Sequence, residues 1–451
     1  MTVDTFRPDA LAQALLDAAR AAGADSADAM VIEGTSVSID VRGGRLEHAE
    51  RAEGLDIGLR VLIGNRQACV SSSDARPETM AVMAERAVAM AREAPEDPYA
   101  GLADPSQLTS RRDAEGLELL DTSAEPDPAM LEEDARRAEA SALTVSGVSQ
   151  IDQASAAYSR RQVHLAASNG FSGGYGRSSR HISCVAITGE GTTMERDWAS
   201  EGRIFQADLP SAESIGIEAG NRAAARAGSR KPPSGAYPVL YDERVAASLI
   251  GHLTSAINGS SIARGSSWLR DALGQQVLPA GIDLIEDPLR VRIAGTRPFD
   301  AEGLETKRRH LVKDGVLQGW VLDLATGRKL GMESTGNASR GPSSPPSPSL
   351  SNKALTLGDH SREDLIRDMG TGLLITSLIG STINATTGDY SRGASGFWVE
   401  NGQIAYPVNE CTIAGSLRDM LMRITPANDV RLHLSTLVPS LLVEGLTIAG
   451  A

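Results

Sequence analysis

The first part of the chain changes between two hydrophobic periods. Residues 9–22 repeat apolar side chains at helical spacing and end at Gly23, which predicts a helix closed by a glycine cap. From residue 37 to residue 61 apolar and polar positions alternate instead, with Gly43-Gly44 as a turn. This pattern predicts antiparallel hairpins that bury one face against helices.

The same reasoning extends along the rest of the sequence. Strands are predicted between about 149 and 200, and hairpin turns at Asn169-Gly170, Asp314-Gly315 and Asn401-Gly402. Further helices are predicted at 77–94, 127–142, 211–227, 243–257 and 361–370. The fold class is therefore α+β, with antiparallel hairpins and helices in the N-terminal part and mainly strands beyond residue 257.

One segment is typical of a linker between domains. Residues 228–235 are basic and proline-rich, which prevents a helix from continuing through them. We therefore expect an N-terminal α+β domain at 1–230 and a C-terminal β-rich domain at 235–451. The composition of 336–352, rich in Ser, Pro and Gly, predicts a flexible surface loop.

Composition places the chain among soluble globular proteins. It has 451 residues with 41% hydrophobic and 23% charged side chains, and its net charge of −14 disfavours nucleic acid as a partner. The N-terminal stretch carries acids from Asp4 onward and has no apolar core of a signal peptide. No window approaches the ~20 apolar residues that span a bilayer. We expect a cytoplasmic protein without a membrane partner.

The residues that usually bind metals are scattered. The closest two histidines, His164 and His181, lie 17 positions apart, so no helix carries a histidine pair. The three cysteines form no paired motif, and Cys411 is expected to be a buried inert thiol. His252 stands alone on the predicted 243–257 helix, where a packed or capping role is expected.

One serine motif has both a catalytic and a structural interpretation. Gly170-Phe-Ser-Gly-Gly174 matches G-x-S-x-G, the nucleophile elbow of hydrolases. An elbow needs a strand before it and a helix after it, whereas here both flanks are predicted strands. We interpret the motif as a glycine-rich hairpin turn.

The most unusual stretch is 387–410. Asp389, Tyr390, Ser391 and Arg392 lie among small residues, beside a predicted hairpin. Two uses are open: the polar group holds the hairpin in place, or Arg392 offers its guanidinium to a partner carboxylate or a peptide carbonyl.

At this point the chain resembles the TldD/PmbA family, in its TldE (PmbA) branch. The resemblance rests on the run GDYSRGASGFWVENGQIAYPVNECTIAG and on several ordered motifs: Phe299-Asp-Ala-Glu-Gly303, Ser334-Thr-Gly-Asn-Ala-Ser-Arg340, Pro346-Ser-Pro-Ser-Leu-Ser-Asn352 and Glu444-Gly-Leu-Thr-Ile-Ala-Gly450. It covers the whole chain and implies a barrel-like C-terminal sheet. It also implies that 336–352 is an ordered part of the C-terminal domain, against the expectation from composition.

The resemblance further implies a cytoplasmic two-subunit protease that degrades unfolded or leader peptides. The TldD branch carries zinc on an H-E-x-x-x-H helix, and a later cysteine completes its site. Alignment places that hexad on residues 250–255, so the ligand and base positions hold Ile250, Gly251 and Ser255, while the cysteine region falls near Val438-Pro439. No catalytic residue, metal ligand or cofactor is therefore expected in this chain, and zinc only in a TldD-like partner.

Three functions compete at this stage. The first is a zinc-less subunit that pairs with a TldD-like metalloprotease and helps to enclose its peptide cavity; isolated chains could also form a homodimer. The second is an independent peptidase with an unrecognised site, and the third a stand-alone binding protein such as a modulator of DNA gyrase. Within the first, we expect an interface or peptide-channel role for Asp389, Tyr390, Ser391, Arg392, Glu400 and Glu410.

Overall fold

The first half of the chain folds as one antiparallel sheet with helices on one face. The computed structural model describes residues 7–450, without the side chains of 381 and 382. The strand order is β3-β2-β1-β4-β5-β6. The strands are β1 (Ser26–Arg42), β2 (Arg45–Ile63), β3 (Arg66–Ser72), β4 (Val148–Ala167), β5 (Ser172–Thr188) and β6 (Glu195–Arg203), and the helices are α1 (Pro8–Ala21), α2 (Pro77–Glu93), α3 (Pro128–Leu143) and α4 (Ala212–Ala224).

The helical face of the sheet carries two separate cores, one toward each end of β1. Val31 packs with α1 and α2, whereas Val37 and Ile39, further along the same strand, pack with α3 and α4. Gly43 and Gly44 close the β1–β2 hairpin with φ of 60° and 68°, the left-handed conformation that a two-residue turn of this kind requires. The predicted hairpins and helices of the N-terminal half are thus confirmed.

The second half is built around a closed barrel of five strands, with the last paired to the first: β16 (Gln403–Ser416), β15 (Asp389–Glu400), β14 (Gly372–Ile383), β7 (Gly235–Tyr241) and β19 (Leu441–Ala449). Helix α5 follows β7 and packs into the barrel's hydrophobic core. The remaining strands extend the barrel or form smaller sheets beside it. The elements are β7 (Gly235–Tyr241), α5 (Glu243–Ala256), α6 (Gly259–Ala263), β8 (Leu284–Glu286), β9 (Arg309–Lys313), β10 (Val316–Leu317), α7 (Leu324–Leu330), β11 (Ala338–Ser339), β12 (Ser347–Pro348), β13 (Lys353–Leu355), α8 (Arg362–Met369), β14 (Gly372–Ile383), β15 (Asp389–Glu400), β16 (Gln403–Ser416), α9 (Leu417–Leu421), β17 (Ile424–Pro426), β18 (Thr436–Leu437) and β19 (Leu441–Ala449).

The segment 336–352 is not the flexible loop that its composition predicts. β11 and β12 pair within it, and Asn352 is fully buried with its amide donating to Thr296. The physical reason is that its small Ser, Pro and Gly side chains allow close packing, which composition alone does not distinguish from solvation. The expectation drawn from the family resemblance was the correct one here.

The same segment joins the two halves of the chain. Arg340 forms an ion pair with Asp28 of β1, and Asp28 also binds Arg60 of β2; all three side chains are buried. Pro342 approaches so closely that a Cβ on Gly58 would lie 2.2 Å from its carbonyl oxygen. The first sheet therefore packs directly on the C-terminal half.

One further finding concerns membranes. No helix within residues 7–450 combines the length and apolar character needed to cross a bilayer. The predicted absence of a signal peptide partly concerns residues 1–6, and these residues lie outside the described part of the chain.

Candidate functional site

Helix α5 carries the positions that the resemblance aligns with a zinc-binding helix. Asp242 caps its first turn by accepting a hydrogen bond from the backbone N–H of Arg244. The apolar side of the helix, with Leu249 and Leu253 fully buried, faces the barrel core. The sequence places the helix here because its apolar residues recur at a period of 3.6 directly after a buried strand.

The three aligned positions have different environments. Ile250 is fully buried in the core, Gly251 is half-buried, and Ser255 is exposed. A Cβ added to Gly251 would meet nothing within 4 Å.

The side chains present do not fit a zinc ion. Zinc in proteins needs three or four ligands from Cys, His, Asp or Glu. Within the described residues 7–450, no three or more of these side chains are grouped so that they could hold a metal ion. His252 lies on α5 with its Nε2 buried and without a hydrogen-bond partner, but a single imidazole does not make such a site.

The structure brings this helix together with the beginning of β15. Tyr390 is 2% exposed, its ring meets the His252 ring edge-on, and its hydroxyl lies 3.3 Å from that of Tyr241. Burial raises the pKa of both tyrosines, and burial together with the charge of Arg392 lowers the pKa of His252. These groups are therefore uncharged at neutral pH, which suits a packed core better than proton transfer.

The other polar residues of this segment remain near the surface. Asp389 is exposed and accepts a hydrogen bond of 2.6 Å from the Thr387 hydroxyl, and Ser391 is half-buried. Arg392 donates through Nε to the carbonyl of Gly380 at 2.8 Å. Arg392 thus links β15 to the end of β14, while part of its guanidinium is left for another contact.

Glu400 and Glu410 lie apart from this group. Glu400 ends β15 at the tip of the hairpin, at the opposite end of the strand from Asp389. Glu410 lies at an irregularity of β16 with φ of 51° and faces Lys231 at 3.6 Å. Since a strand rises about 3.3 Å per residue, Glu400 is on the order of 30 Å from Asp389, so the predicted candidates do not form one site.

A large cavity lies elsewhere, on the helical face of the first sheet, with a volume of about 1280 Å³. His164 and Ser172 line it, with Nε2 and Oγ 3.0 Å apart. Ser172 belongs to the rejected elbow motif, and it does lie at the start of β5 in an antiparallel hairpin, as predicted. A hairpin turn at Asn169-Gly170 fixes which residues of the two flanking strands lie side by side, so the sequence could have predicted this contact between Ser172 and His164.

Comparison with known proteins now identifies the family. Three domain models match in order: PmbA/TldA metallopeptidase domain 1 at 27–91, the central domain at 121–227 and the C-terminal domain at 234–450. "Metalloprotease PmbA" of Escherichia coli O157:H7 is 37% identical over 429 residues, which cover 94% of this chain and 92% of that protein.

The chain belongs to the TldD/PmbA family. A PmbA homologue of Haemophilus influenzae is 35% identical over 96% of this chain and 94% of its own. Among solved structures, a candidate modulator of DNA gyrase from Bacteroides thetaiotaomicron matches with a TM-score of 0.91 and 26% identity over the whole of both chains. TldE from Thermococcus kodakarensis has the same fold, with a TM-score of 0.85 and 20% identity over 98% of this chain and 100% of its own.

Proposed function

We propose that this TldD/PmbA-family chain is a TldE-type subunit without a zinc site of its own. It pairs in the cytoplasm with a TldD-like zinc metalloprotease chain and helps to enclose the cavity in which unfolded or leader peptides are cut. The zinc, the general base and the bond cleavage belong to the partner. This chain contributes shape and contacts to the shared cavity.

The observation that carries the proposal is the character of the aligned zinc positions. Ile250 is part of the hydrophobic core, Gly251 has no side chain, and Ser255 is on the outside of α5. Zinc-assisted hydrolysis requires imidazole or thiolate ligands and a carboxylate to take the proton of the zinc-bound water. None of these three positions supplies such a group.

The name of the Escherichia coli relative, a metalloprotease, fits this proposal if activity belongs to the assembly. A family fold does not by itself make each member a catalyst, because function depends on the residues at the site. The likeness to TldE of Thermococcus kodakarensis, at 20% identity, supports the fold alone.

The test is to purify the chain alone and together with a TldD-like chain from the same genome. We expect no stoichiometric zinc and no peptidase activity in the isolated chain. The purified pair should contain about one zinc per heterodimer and should degrade an unfolded peptide. The control is a pair whose partner has Gln in place of the glutamate of its H-E-x-x-x-H helix, which should assemble but not cleave.

Two results would contradict the proposal. Stoichiometric zinc with peptidase activity in the isolated chain would make it an independent enzyme. Stable association with gyrase in native lysate, with no TldD-like chain, would favour a modulator of the kind named for the Bacteroides thetaiotaomicron protein.

A further inference from the structure

A cleft lies between the first sheet and the C-terminal half, on the face opposite the helices. It consists of two adjoining cavities of about 360 and 710 Å³, which share Ile32, Arg161 and Arg177 as lining residues. We call their union the arginine cleft. Its size is that of a site for a small ligand or a few residues of an extended peptide.

The cleft concentrates positive charge in an acidic protein. Arg161, Arg177, Arg297 and Arg340 all line it, although the chain carries a net charge of −14. Two acidic residues line it too: Asp56, which is exposed, and Asp300. The Asp300 carboxylate already accepts hydrogen bonds from backbone N–H groups of Glu302, Leu304 and Ala338. The Asp300 carboxylate is therefore engaged by the backbone; its charge acts on Arg297, but within the described residues it forms no ion pair with any of the four arginines.

Two of these guanidinium groups are held in place by carbonyl groups. Arg177 donates to Ala294 and Thr296 at 2.6 Å each, and Arg297 donates to Ala338 and Ser349. Carbonyl oxygens fix the orientation of a guanidinium but leave its charge uncompensated. Burial lowers the pKa of Arg177, and the neighbouring charges of Arg161 and Arg297 lower it further.

The other two arginines retain unused donors. Arg161 is exposed, and its side chain makes no hydrogen bond or ion pair with any residue of the described chain. Arg340 has a fully buried side chain, and its Nη2 has no hydrogen-bond partner even though the guanidinium is paired with Asp28. Placing like charges close together is unfavourable, and an anionic ligand would relieve the repulsion.

Beside the arginines, the cleft is lined by apolar residues. Met30, Ile32, Leu165 and Phe299 line it, and the Phe299 ring meets the Tyr175 ring edge-on at 5.6 Å. A site with a cationic side and an aliphatic–aromatic side suits a ligand that has both a carboxylate and hydrophobic side chains. An inorganic anion would use only the cationic side.

We propose that the arginine cleft binds an extended peptide through a carboxylate, with Arg161 as its free bidentate donor and Arg177 as a fixed second cation. The carboxylate is either the C-terminus of the peptide or an acidic side chain. This inference rests on the proposed function, in which the chain handles peptide substrates, and it adds a peptide-recognition site on this chain itself. Arginine suits this role because its planar fork matches both oxygens of a carboxylate.

The test compares three fluorescein-labelled peptides of one unstructured apolar sequence. The first has a free C-terminal carboxylate, the second a C-terminal amide, and the third an amide and one internal glutamate. Binding to the full-length chain is measured by fluorescence anisotropy at low salt. We expect at least fivefold tighter binding of the first or the third peptide than of the second, and which of them binds identifies the source of the carboxylate.

Arg161→Gln should reduce the affinity for the preferred carboxylate peptide to that of the neutral amide. The matched control is Arg86→Gln, which removes the same charge from the exposed face of α2 and lines neither cavity. Circular dichroism should show both variants folded, because neither arginine side chain has a hydrogen bond or ion pair in the described chain.

Equal binding of all three peptides, no binding of any of them, or full carboxylate preference in Arg161→Gln would overturn the inference. These outcomes are separate from the fate of the proposed function. A pair that assembles and cleaves but shows no carboxylate preference refutes only the arginine cleft. A carboxylate preference in a chain that does not pair with a TldD-like protein refutes only the subunit role.

Discussion

The imidazole ring of His252 on α5 packs edge-on against the phenol ring of Tyr390 on β15, with ring centroids 5.8 Å apart. This contact joins the helix that corresponds to a zinc helix with the polar segment singled out from the sequence. It is an aromatic core contact, continued by the hydroxyl groups of Tyr390 and Tyr241. Because His252 lies in this core, its pKa reports on the electrostatic environment there.

The burial of His252 predicts a loss of stability in mild acid. Burial and the charge of Arg392 lower the pKa of His252, while an unfolded histidine has a pKa near 6.5. Below about pH 6.5 the unfolded chain therefore binds more protons than the folded chain, and stability falls as the pH falls. The pKa values of His164, His181 and His433 shift in the same direction, with burial as the main cause.

Melting temperatures of the wild type and of His252→Gln between about pH 7.5 and pH 5 test this. The variant loses the packing of the ring at every pH, but it also loses the buried titrating group. The difference in melting temperature between the wild type and the variant should therefore shrink as the pH falls. A gap that stays constant over this range would show that His252 does not contribute to the acid sensitivity.

The aligned zinc positions predict opposite stability changes for two neighbouring alanine substitutions. Ile250→Ala should lower the free energy of unfolding by about 2–5 kcal/mol, because it removes buried methyl and methylene groups from the core. Gly251→Ala should raise it by about 0.5–1 kcal/mol, because it stiffens a helix where the new Cβ meets open space. Chemical unfolding of both variants measures the difference.

Equal effects would mean that α5 does not pack as described. Ser255→Ala, on the exposed side of the same helix, is the matched control and should change stability little.

The contact between the two halves of the chain predicts that substitution of Asp28 strongly lowers the free energy of unfolding. Its carboxylate is shared by Arg60 and Arg340, and the three side chains are at most 4% exposed. Asp28→Ala would leave two buried guanidinium groups without this counterion, which costs about 3–5 kcal/mol. Adding Arg340→Met should recover part of the loss in the same unfolding measurement.

The exposed pair of Arg76 and Asp74 provides the comparison. Its side chains are 75% and 36% exposed, so Arg76→Ala should leave stability almost unchanged. If Asp28→Ala were as mild as Arg76→Ala, the link between the first sheet and 336–352 would not contribute to stability.

Local patterns predicted the elements well, because each depends on short-range chemistry. Asn401 and Gly402 close the β15–β16 hairpin with φ of 51° and 71°, and Ser361 caps α8 through Asp364, both as the sequence indicates. The closed barrel was expected only from the family resemblance, since the pairing of β16 with β19 joins strands that no local pattern relates.

The candidate site was harder to predict for the same reason. The sequence predicts Tyr390 in an interface or peptide-channel group with Asp389, yet Tyr390 is buried, because strand alternation turns it toward α5 while Asp389 faces solvent. The arginine cleft was missed altogether. Its members come from β4, β5 and two C-terminal segments, so only the packing of the two halves brings them together.

Arg392 provides the last prediction, since its two interpretations lead to different results. Its Nε donates to the carbonyl of Gly380 at 2.8 Å and so ties β15 to the end of β14. Arg392→Ala should therefore lower the free energy of unfolding of the isolated chain by about 1 kcal/mol, the usual net value of one hydrogen bond. Removal of its charge should also let the pKa of His252 rise, because Arg392 contributes to lowering it. NMR titration of the His252 ring in the variant measures that second effect.

Assembly and peptide degradation by the purified pair separate the two interpretations of Arg392. A loss of stability with unchanged assembly and activity supports the structural role alone. Unchanged stability with weaker assembly or slower degradation supports recognition, in which the guanidinium binds a partner carboxylate or a peptide carbonyl. Asp389→Ala is the control, because within the described residues the Asp389 carboxylate accepts a side-chain hydrogen bond only from the neighbouring Thr387 hydroxyl. If Arg392→Ala behaves like Asp389→Ala in every measurement, the segment is a solvated turn and neither role holds.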